Sequence, residues 1–267
     1  MTKAKQKHFF DTFGFFVLKQ TFNREEMKEI DGAFEQTMIQ GLQEAGRSRH
    51  GMDSSFVIDP GFCERNPILR PLMEDVRITK TIDNLFEPGW FYASNDGHLY
   101  FGDTAWHADT GWHPKIPLGR SDPNLASELP AHYFPGMKVA LYLDPVVKDT
   151  GCLRVIPGSH VSPFHESLAS LHSDIANTAP ELLSDSNFKQ FDVTPSEIPC
   201  YAIESEPGDV VFFSSMLWHS SFGGRLRRMF SLWYQSRGEN DAQRKYAEGM
   251  KRRTESIAAK YSSCAGS

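Results

Sequence analysis

His107-Ala108-Asp109 follows directly on Trp106, and another histidine, His219, stands far downstream. Two imidazoles and one carboxylate can occupy one face of an octahedral ferrous ion. Three positions then stay open, two for a chelating co-substrate and one for O2. Residues i and i+2 of a strand share a face, so His107 and Asp109 can grip one ion from the same side if they lie on a strand. The third ligand must come from another strand. His219 suits this, because it follows Gly208-Asp209-Val210-Val211-Phe212-Phe213, a turn feeding a buried strand. The bare His-x-Asp pattern is weak in a chain with ten histidines, and it recurs at His172-Ser173-Asp174. Context separates the two copies. His107 follows the apolar run Leu99-Tyr100-Phe101, whereas His172 sits in a Ser/Leu/Ala stretch that reads as helix or loop. His107, Asp109 and His219 are therefore the candidate metal ligands, and no catalytic residue beyond them is expected.

After His219 come Ser220-Ser221-Phe222-Gly223-Gly224-Arg225-Leu226-Arg227-Arg228 and then Met229-Phe230-Ser231-Leu232-Trp233-Tyr234. Gly-Gly between two apolar runs predicts a hairpin, with the His219 strand folding back and the arginines opening the return strand. A buried guanidinium there could hold the far carboxylate of 2-oxoglutarate through two parallel hydrogen bonds. The near carboxylate and keto oxygen would chelate the metal. Alternate strand residues face opposite ways, so not all of Arg225, Arg227 and Arg228 can serve, and this pattern leaves the choice open.

These residues need elements to position them. Residues 9–20 read as a short helix and a strand. Asn23 with Glu26 forms a capping-box pattern, followed by a helical stripe of Met27, Ile30, Phe34 and Met38 that reads as core. Residues 40–65 read as a loop near the pocket mouth, and Leu69 to Leu85 as helix. From Phe91 to Tyr234 strands dominate. Candidates are Tyr92–Ser94, His98–Phe101, Trp106–Asp109, Lys138–Leu143, Leu153–Ile156, Tyr201–Ile203, Val210–Phe213 and Arg228–Tyr234. That pattern predicts a mainly β fold with supporting helices, a double-stranded β-helix of the jelly-roll, cupin-like barrel type, with a small site at its mouth. The expected organisation is one domain over 1–267: helical support over about 1–90, barrel over about 91–236 and a C-terminal helix over about 239–262. That last helix carries a stripe of Tyr246, Met250, Ile257 and Tyr261. The Gly111–Pro135 segment leaves directly from the metal ligands and is rich in loop formers. A long loop in that place reads as an active-site lid.

The chain has 267 residues, enough for a large core, and twenty phenylalanines suit a barrel packed against helices. A net charge of -6 argues against a general nucleic-acid surface. The N-terminus has no apolar core of the signal-peptide kind, and no stretch is long enough to span a bilayer. Cys63, Cys152, Cys200 and Cys264 are widely spaced, which favours reduced thiols and a cytoplasmic setting. A monomer or homodimer acting on a small molecule is expected, without nucleic-acid or membrane partners.

In this order the motifs resemble the phytanoyl-CoA dioxygenase family of non-haem iron, 2-oxoglutarate-dependent oxygenases. The resemblance runs from about Phe9 to Tyr234. It opens with Phe13-Gly14-Phe15-Phe16-Val17-Leu18 and continues through Trp106-His107-x-Asp109 and Gly151-Cys152-Leu153-Arg154-Val155-Ile156-Pro157-Gly158-Ser159-His160. It closes with Gly208-Asp209-Val210-Val211-Phe212-Phe213, His219 and Arg-Arg-x-x-Ser at Arg227 to Ser231. The resemblance implies that His107, Asp109 and His219 hold Fe(II) and that Arg227 binds 2-oxoglutarate, with Ser221 beside it and a position at or near Lys138 lining the same pocket. The stretch from His219 to Arg227 is shorter than the family pattern, which keeps Arg225 and Arg228 as alternatives.

The activity implied is a dioxygenase. Iron and 2-oxoglutarate activate O2, succinate and CO2 leave, and a C–H bond of a small polar molecule or secondary metabolite is hydroxylated or otherwise oxidised. Related halogenases lack the carboxylate, so Asp109 argues for hydroxylation. Three other readings compete: a non-catalytic jelly-roll protein binding a metal or ligand, an acyl-CoA hydroxylase, and a zinc hydrolase with the same triad. In the lid, Trp112 and Tyr133 would wall the substrate. His113, Lys115, Arg120 or His132 would pair with an acidic group on it.

Overall fold

The computed structural model describes residues 2–50, 52, 54–86, 89–109, 136–168, 171, 195–224, 226–237 and 241–262. Its N-terminal elements follow from local rules. Helix α1 (Lys3–Phe13) ends where Gly14 turns left-handed, and strand β1 (Phe15–Leu18) follows. Helix α2 (Arg24–Glu44) starts at the expected capping box: Asn23 Oδ1 accepts from the Glu25 and Glu26 amides, and the Glu26 carboxylate accepts from the Asn23 amide. Met27, Ile30, Phe34 and Met38 are all buried, as their helical spacing requires. The stretch read as a 40–65 loop is more ordered than that. Helix α2 runs through Glu44, and β2 (Phe56–Ile58) pairs with the large sheet. Alternating burial of Phe56 and Ile58 anchors it, a pattern too short to register as a strand in the sequence. Leu69 to Leu85 is a 3-10 turn, Arg70–Glu74, and then helix α3 (Val76–Leu85).

The remaining strands are β3 (Trp90–Phe101), β4 (Thr104–His107), β5 (Gly136–Tyr142), β6 (Leu153–Val155), β7 (Tyr201–Ile203), β8 (Val210–Ser214), β9 (His219–Ser221) and β10 (Leu226–Ser236), before helix α4 (Asp241–Ser262). They form two antiparallel sheets, a six-stranded one ordered β1-β8-β5-β10-β3-β2 and a four-stranded one ordered β4-β9-β6-β7. The two face each other as a jelly roll, and among the described residues no ladder joins them. The two strands expected at Tyr92–Ser94 and His98–Phe101 are one continuous strand, β3, because β10 pairs along its whole length with a single irregularity at Trp233/Tyr234.

The expected hairpin at Gly223-Gly224 does not form. Strand β9 pairs with β4 and β6, whereas β10 pairs with β3 and β5. The glycines instead carry the chain from one sheet to the other. Gly223 is left-handed, at φ 80°, and a Cβ on it would meet the Asp149 carbonyl oxygen at 2.5 Å.

Strand alternation sorts the large sheet into two environments. Leu99, Met137, Val139, Leu141, Phe212, Phe230 and Leu232 face the helices and pack with Phe34, Phe62, Leu69, Ile78 and Ile82 in the main core. The opposite face looks toward the small sheet. There Ala140, Tyr142, Val211 and Phe213 meet Leu153, Val155 and Ile203 in a second core. Helix α4 packs on β3, with Ala247 and Thr254 buried. Of the stripe expected on it, Ile257 is half-buried, and the side chains of Tyr246, Met250 and Tyr261 lie outside the described residues. No helix among the described residues is long and apolar enough to cross a membrane.

Candidate metal centre and co-substrate pocket

Between the sheets lies a cavity of about 110 Å³, lined from both sides. His107 and His219 reach it from the small sheet, where they are direct partners in the β4–β9 pairing. Strand β4 ends at His107, and Asp109 lies in the bend beyond it. The convergence of His107 with Asp109 therefore comes from the bend, not from strand alternation as expected. His107 Nε2 is 3.8 Å and His219 Nε2 3.9 Å from Asp109 Oδ1, and the ligand atoms of all three lie within 4.8 Å of one another.

Each imidazole is oriented by its own backbone. His107 Nδ1 donates to the Ala105 carbonyl and His219 Nδ1 to the Leu217 carbonyl, both at 2.8 Å. A carbonyl can only accept, so the proton sits on Nδ1 and the Nε2 lone pairs are free to bind a cation. Burial, with His107 as a neighbour of like charge, pulls the His219 pKa down to about 4, so this ring is neutral at physiological pH. Burial alone would raise the Asp109 pKa, but His219, Lys138 and His107 outweigh it and keep the carboxyl ionised. Two imidazole Nε2 donors and one carboxylate fit a ferrous ion.

Arg227, Met229 and Ser231 alternate along β10 and line the same cavity. Arg227 is 3% exposed. One terminal nitrogen donates to the Gly151 carbonyl at 2.9 Å and to Ser221 Oγ. The other donates to the Gly102 carbonyl at 3.0 Å and to Thr104 Oγ1 at 3.2 Å. Its Nε is buried without a partner, and no carboxylate among the described residues pairs with it. Burial lowers its pKa, yet a guanidinium stays charged. A buried cation held only by neutral groups is a site for an anion.

Glycines make room for the stem of Arg227. A Cβ on Gly151 would lie 2.5 Å from Arg227 Cδ, and one on Gly224 would lie 2.7 Å from its Nε. The Gly-Cys-Leu turn and the Gly-Gly step thus both serve the arginine. Arg228, one residue on, faces away and pairs with Asp31, Glu35 and Asp144. Arg225 lies outside the described residues.

Lys138 lines the cavity but does not stand beside Arg227. Its Nζ is 2.7 Å from Asp96 Oδ2 and 3.2 Å from Ser231 Oγ, four residues along β10 from Arg227, about 13 Å of extended strand. Asp96 Oδ1 also accepts from His98 Nε2 at 2.7 Å and from Ser231 Oγ at 2.6 Å. Burial opposes the charge on Asp96, but Lys138 and His98 hold its carboxyl below the ordinary range. Burial opposes the charge on Lys138, but Asp96 and then Asp109 raise its pKa. Lys138 pairs across from Phe213, whose ring is 5.0 Å from that of His219, so it stands at the metal end of the cavity.

Asp96, His98, Tyr100, Thr104 and Ser231 were not singled out in the sequence as site residues. The signal for the first three is their spacing of two on the strand before Trp106. Trp112, His113, Lys115, Arg120, His132 and Tyr133, with the whole expected lid, lie outside the described residues, as do His172 and Asp174.

A family model for phytanoyl-CoA dioxygenase (PhyH) matches residues 10–229. No curated protein matches the chain. Among solved structures, the chain is similar to SnoK, a non-heme alpha-ketoglutarate-dependent carbocyclase from nogalamycin biosynthesis. The TM-score is 0.59 at 18% identity, covering 88% of this chain and 86% of that one. It is also similar to HygX from Streptomyces hygroscopicus, solved with nickel and 2-oxoglutarate bound (TM-score 0.60, 16% identity, covering 88% and 87%). The epimerase SnoN, in complex with Fe3+, alpha-ketoglutarate and nogalamycin RO, gives 0.58 at 15% identity, covering 88% and 83%. At these identities the likeness is one of fold.

Proposed function

The chain belongs to the phytanoyl-CoA dioxygenase family, whose members depend on iron and 2-oxoglutarate, and on that premise we propose that it oxidises a C–H bond of a small polar molecule or secondary metabolite. Hydroxylation, with release of succinate and CO2, is the expected outcome. His107 Nε2, His219 Nε2 and Asp109 hold the ferrous ion. Arg227 binds the far carboxylate of 2-oxoglutarate, with Ser221 and Thr104 fixing the guanidinium. When bound, the metal supplies O2 activation coupled to decarboxylation of the co-substrate.

The chain's own residues set up that chemistry. The backbone carbonyls of Ala105 and Leu217 hold both imidazoles in the ligating tautomer. Lys138, locked to Asp96, balances the ionised Asp109 at the metal end. The observation that carries the reading is Arg227, a buried cation without an acidic partner among the described residues, on the same cavity wall system as the triad. The reading takes the whole chain, 1–267, as one oxygenase domain working in the cytoplasm as a monomer or homodimer. The free thiols of Cys63, Cys152 and Cys200 suit that setting.

Anaerobic addition of Fe(II) and then 2-oxoglutarate tests it. A weak visible charge-transfer band should form in the wild type and be absent in His107→Ala. A colourless wild-type mixture overturns the oxygenase reading and favours a zinc hydrolase or a binding protein.

A further inference from the structure

A buried carboxylate needs hydrogen-bond donors as well as a counter-charge, and Arg227 has few donors left to give. Its terminal N–H groups are committed to the Gly151 and Gly102 carbonyls, Ser221 Oγ and Thr104 Oγ1. The remaining N–H, on Nε, is enclosed on the side of two glycines: a Cβ on Gly151 would lie 2.8 Å from it and one on Gly224 2.7 Å. Further along the cavity, Ser231 gives its proton to Asp96.

Tyr142 is different. It lines the cavity and is 3% exposed, and its hydroxyl has no hydrogen-bond partner among the described residues. A buried tyrosine hydroxyl usually finds a partner within the protein. This one is not among the buried polar atoms that lack a partner and are closed off, so it opens on the cavity. Burial pushes its pKa up against the pull of Arg227, so the phenol keeps its proton and can donate it.

Strand register places this donor. Met229, the next cavity-facing residue after Arg227 on β10, lies opposite Tyr142 on β5. Beyond β5 in the sheet comes β8, whose Phe213 ring is 5.0 Å from that of His219. Tyr142 therefore stands between Arg227 and the metal ligands. Tyr100, which also lines the cavity, lies opposite Arg227 on β3, away from β8. Packing brings Tyr142 to the arginine as well. It shares a core cluster with Cys152 and Leu153, and the carbonyl of Gly151, just before them, accepts from Arg227 at 2.9 Å.

We infer that Tyr142 is a co-substrate-binding residue: its hydroxyl donates a hydrogen bond to the far carboxylate of 2-oxoglutarate, while Arg227, held by its four neutral partners, supplies the charge. This rests on the oxygenase reading above. Two neighbouring strands then share the recognition, β10 through a fixed cation and β5 through a free donor.

The test compares the full chain with Tyr142→Phe, which removes one oxygen and leaves the ring in the core. Anaerobic titrations of the Fe(II)-loaded proteins, followed by the charge-transfer band, use 2-oxoglutarate and 2-oxopentanoate. The second probe keeps the chelating end and lacks the far carboxylate. Loss of a hydrogen bond to a charged group should raise the Kd for 2-oxoglutarate roughly 10- to 100-fold. The Kd for 2-oxopentanoate should not change. The ligand-free variant should melt at or above the wild-type temperature, because the hydroxyl has no partner in the protein. An unchanged Kd for 2-oxoglutarate, equal weakening of both 2-oxo acids, or a lower melting temperature overturns the inference. A wild type without a band overturns the oxygenase reading and this inference together. A normal wild-type band with the same 2-oxoglutarate Kd in Tyr142→Phe overturns this inference alone.

Discussion

Replacing Arg227 by Met removes the buried cation while keeping much of its stem. Its two terminal nitrogens make four hydrogen bonds to neutral partners, and none of the described carboxylates neutralises it. A dianionic co-substrate arriving here forms a charge pair in a site shielded from water. Removing one partner of such a pair costs about 3–5 kcal/mol. At about 1.4 kcal/mol per decade, that is a weakening of roughly 100- to 3,000-fold. The Kd for 2-oxoglutarate, followed anaerobically by the charge-transfer band, should rise by that factor, while the Kd for Fe(II) stays within a few-fold. Arg227→Lys should fall in between, since it keeps the charge but loses the fork. The substitution also strips the Gly151 and Gly102 carbonyls of their donor, so a lower melting temperature is expected in parallel and serves as a control on folding. Arg228→Ala supplies the contrast. It breaks the network with Asp31, Glu35 and Asp144 and should cost stability without touching co-substrate affinity. An unchanged 2-oxoglutarate Kd in Arg227→Met, or a large loss in Arg228→Ala, refutes the reasoning.

His107→Ala should abolish 2-oxoglutarate turnover with the circular-dichroism spectrum intact, and His172→Ala should leave turnover unchanged; full activity in the first variant sinks the ligand assignment. Gly97→Ala should destabilise by about 1–3 kcal/mol, because a Cβ there would lie 2.3 Å from a Phe62 ring already enclosed by Phe34 and Phe230; a melting curve identical to wild type would contradict that packing. Asp209 accepts from Lys19 Nζ at 2.8 Å and from the Gln20 and Glu206 amides. Burial would raise its pKa, but these donors outweigh it and leave it below the ordinary value. A depressed carboxyl pKa stabilises the fold above the unfolded-state value, and that contribution is lost as pH falls through the folded one. Denaturant titrations of the wild type should therefore show stability falling as the pH drops below about 4. Asp209→Asn should be less stable at pH 7 and flatter with pH; a slope equal to the wild type would remove Asp209 from the account.

Much of this protein is written locally. The capping box at Asn23 and Glu26, the stripe from Met27 to Met38 and the strands from Leu153, Tyr201 and Val210 depend on periods of 3.6 and 2 that neighbouring residues carry among themselves. The donor chemistry of His107, Asp109 and His219 is legible for the same reason, since residue type alone limits what three such side chains can do together. Partner choice is different in kind, because it is settled between residues far apart in the chain. Whether the Gly223-Gly224 step makes a hairpin or crosses between sheets depends on which strands β9 and β10 pair with. Arg227 faces the cavity and Arg228 the acidic network because the register of β10 against β3 and β5 sets the parity of every residue on it. Lys138 is committed to Asp96, forty-two positions away, through a 2.7 Å contact that no local pattern announces. The residues that can act were determined by the sequence alone. Which of them meet was decided by long-range pairing and packing, whose free energy belongs to the assembled sheets and to no single segment.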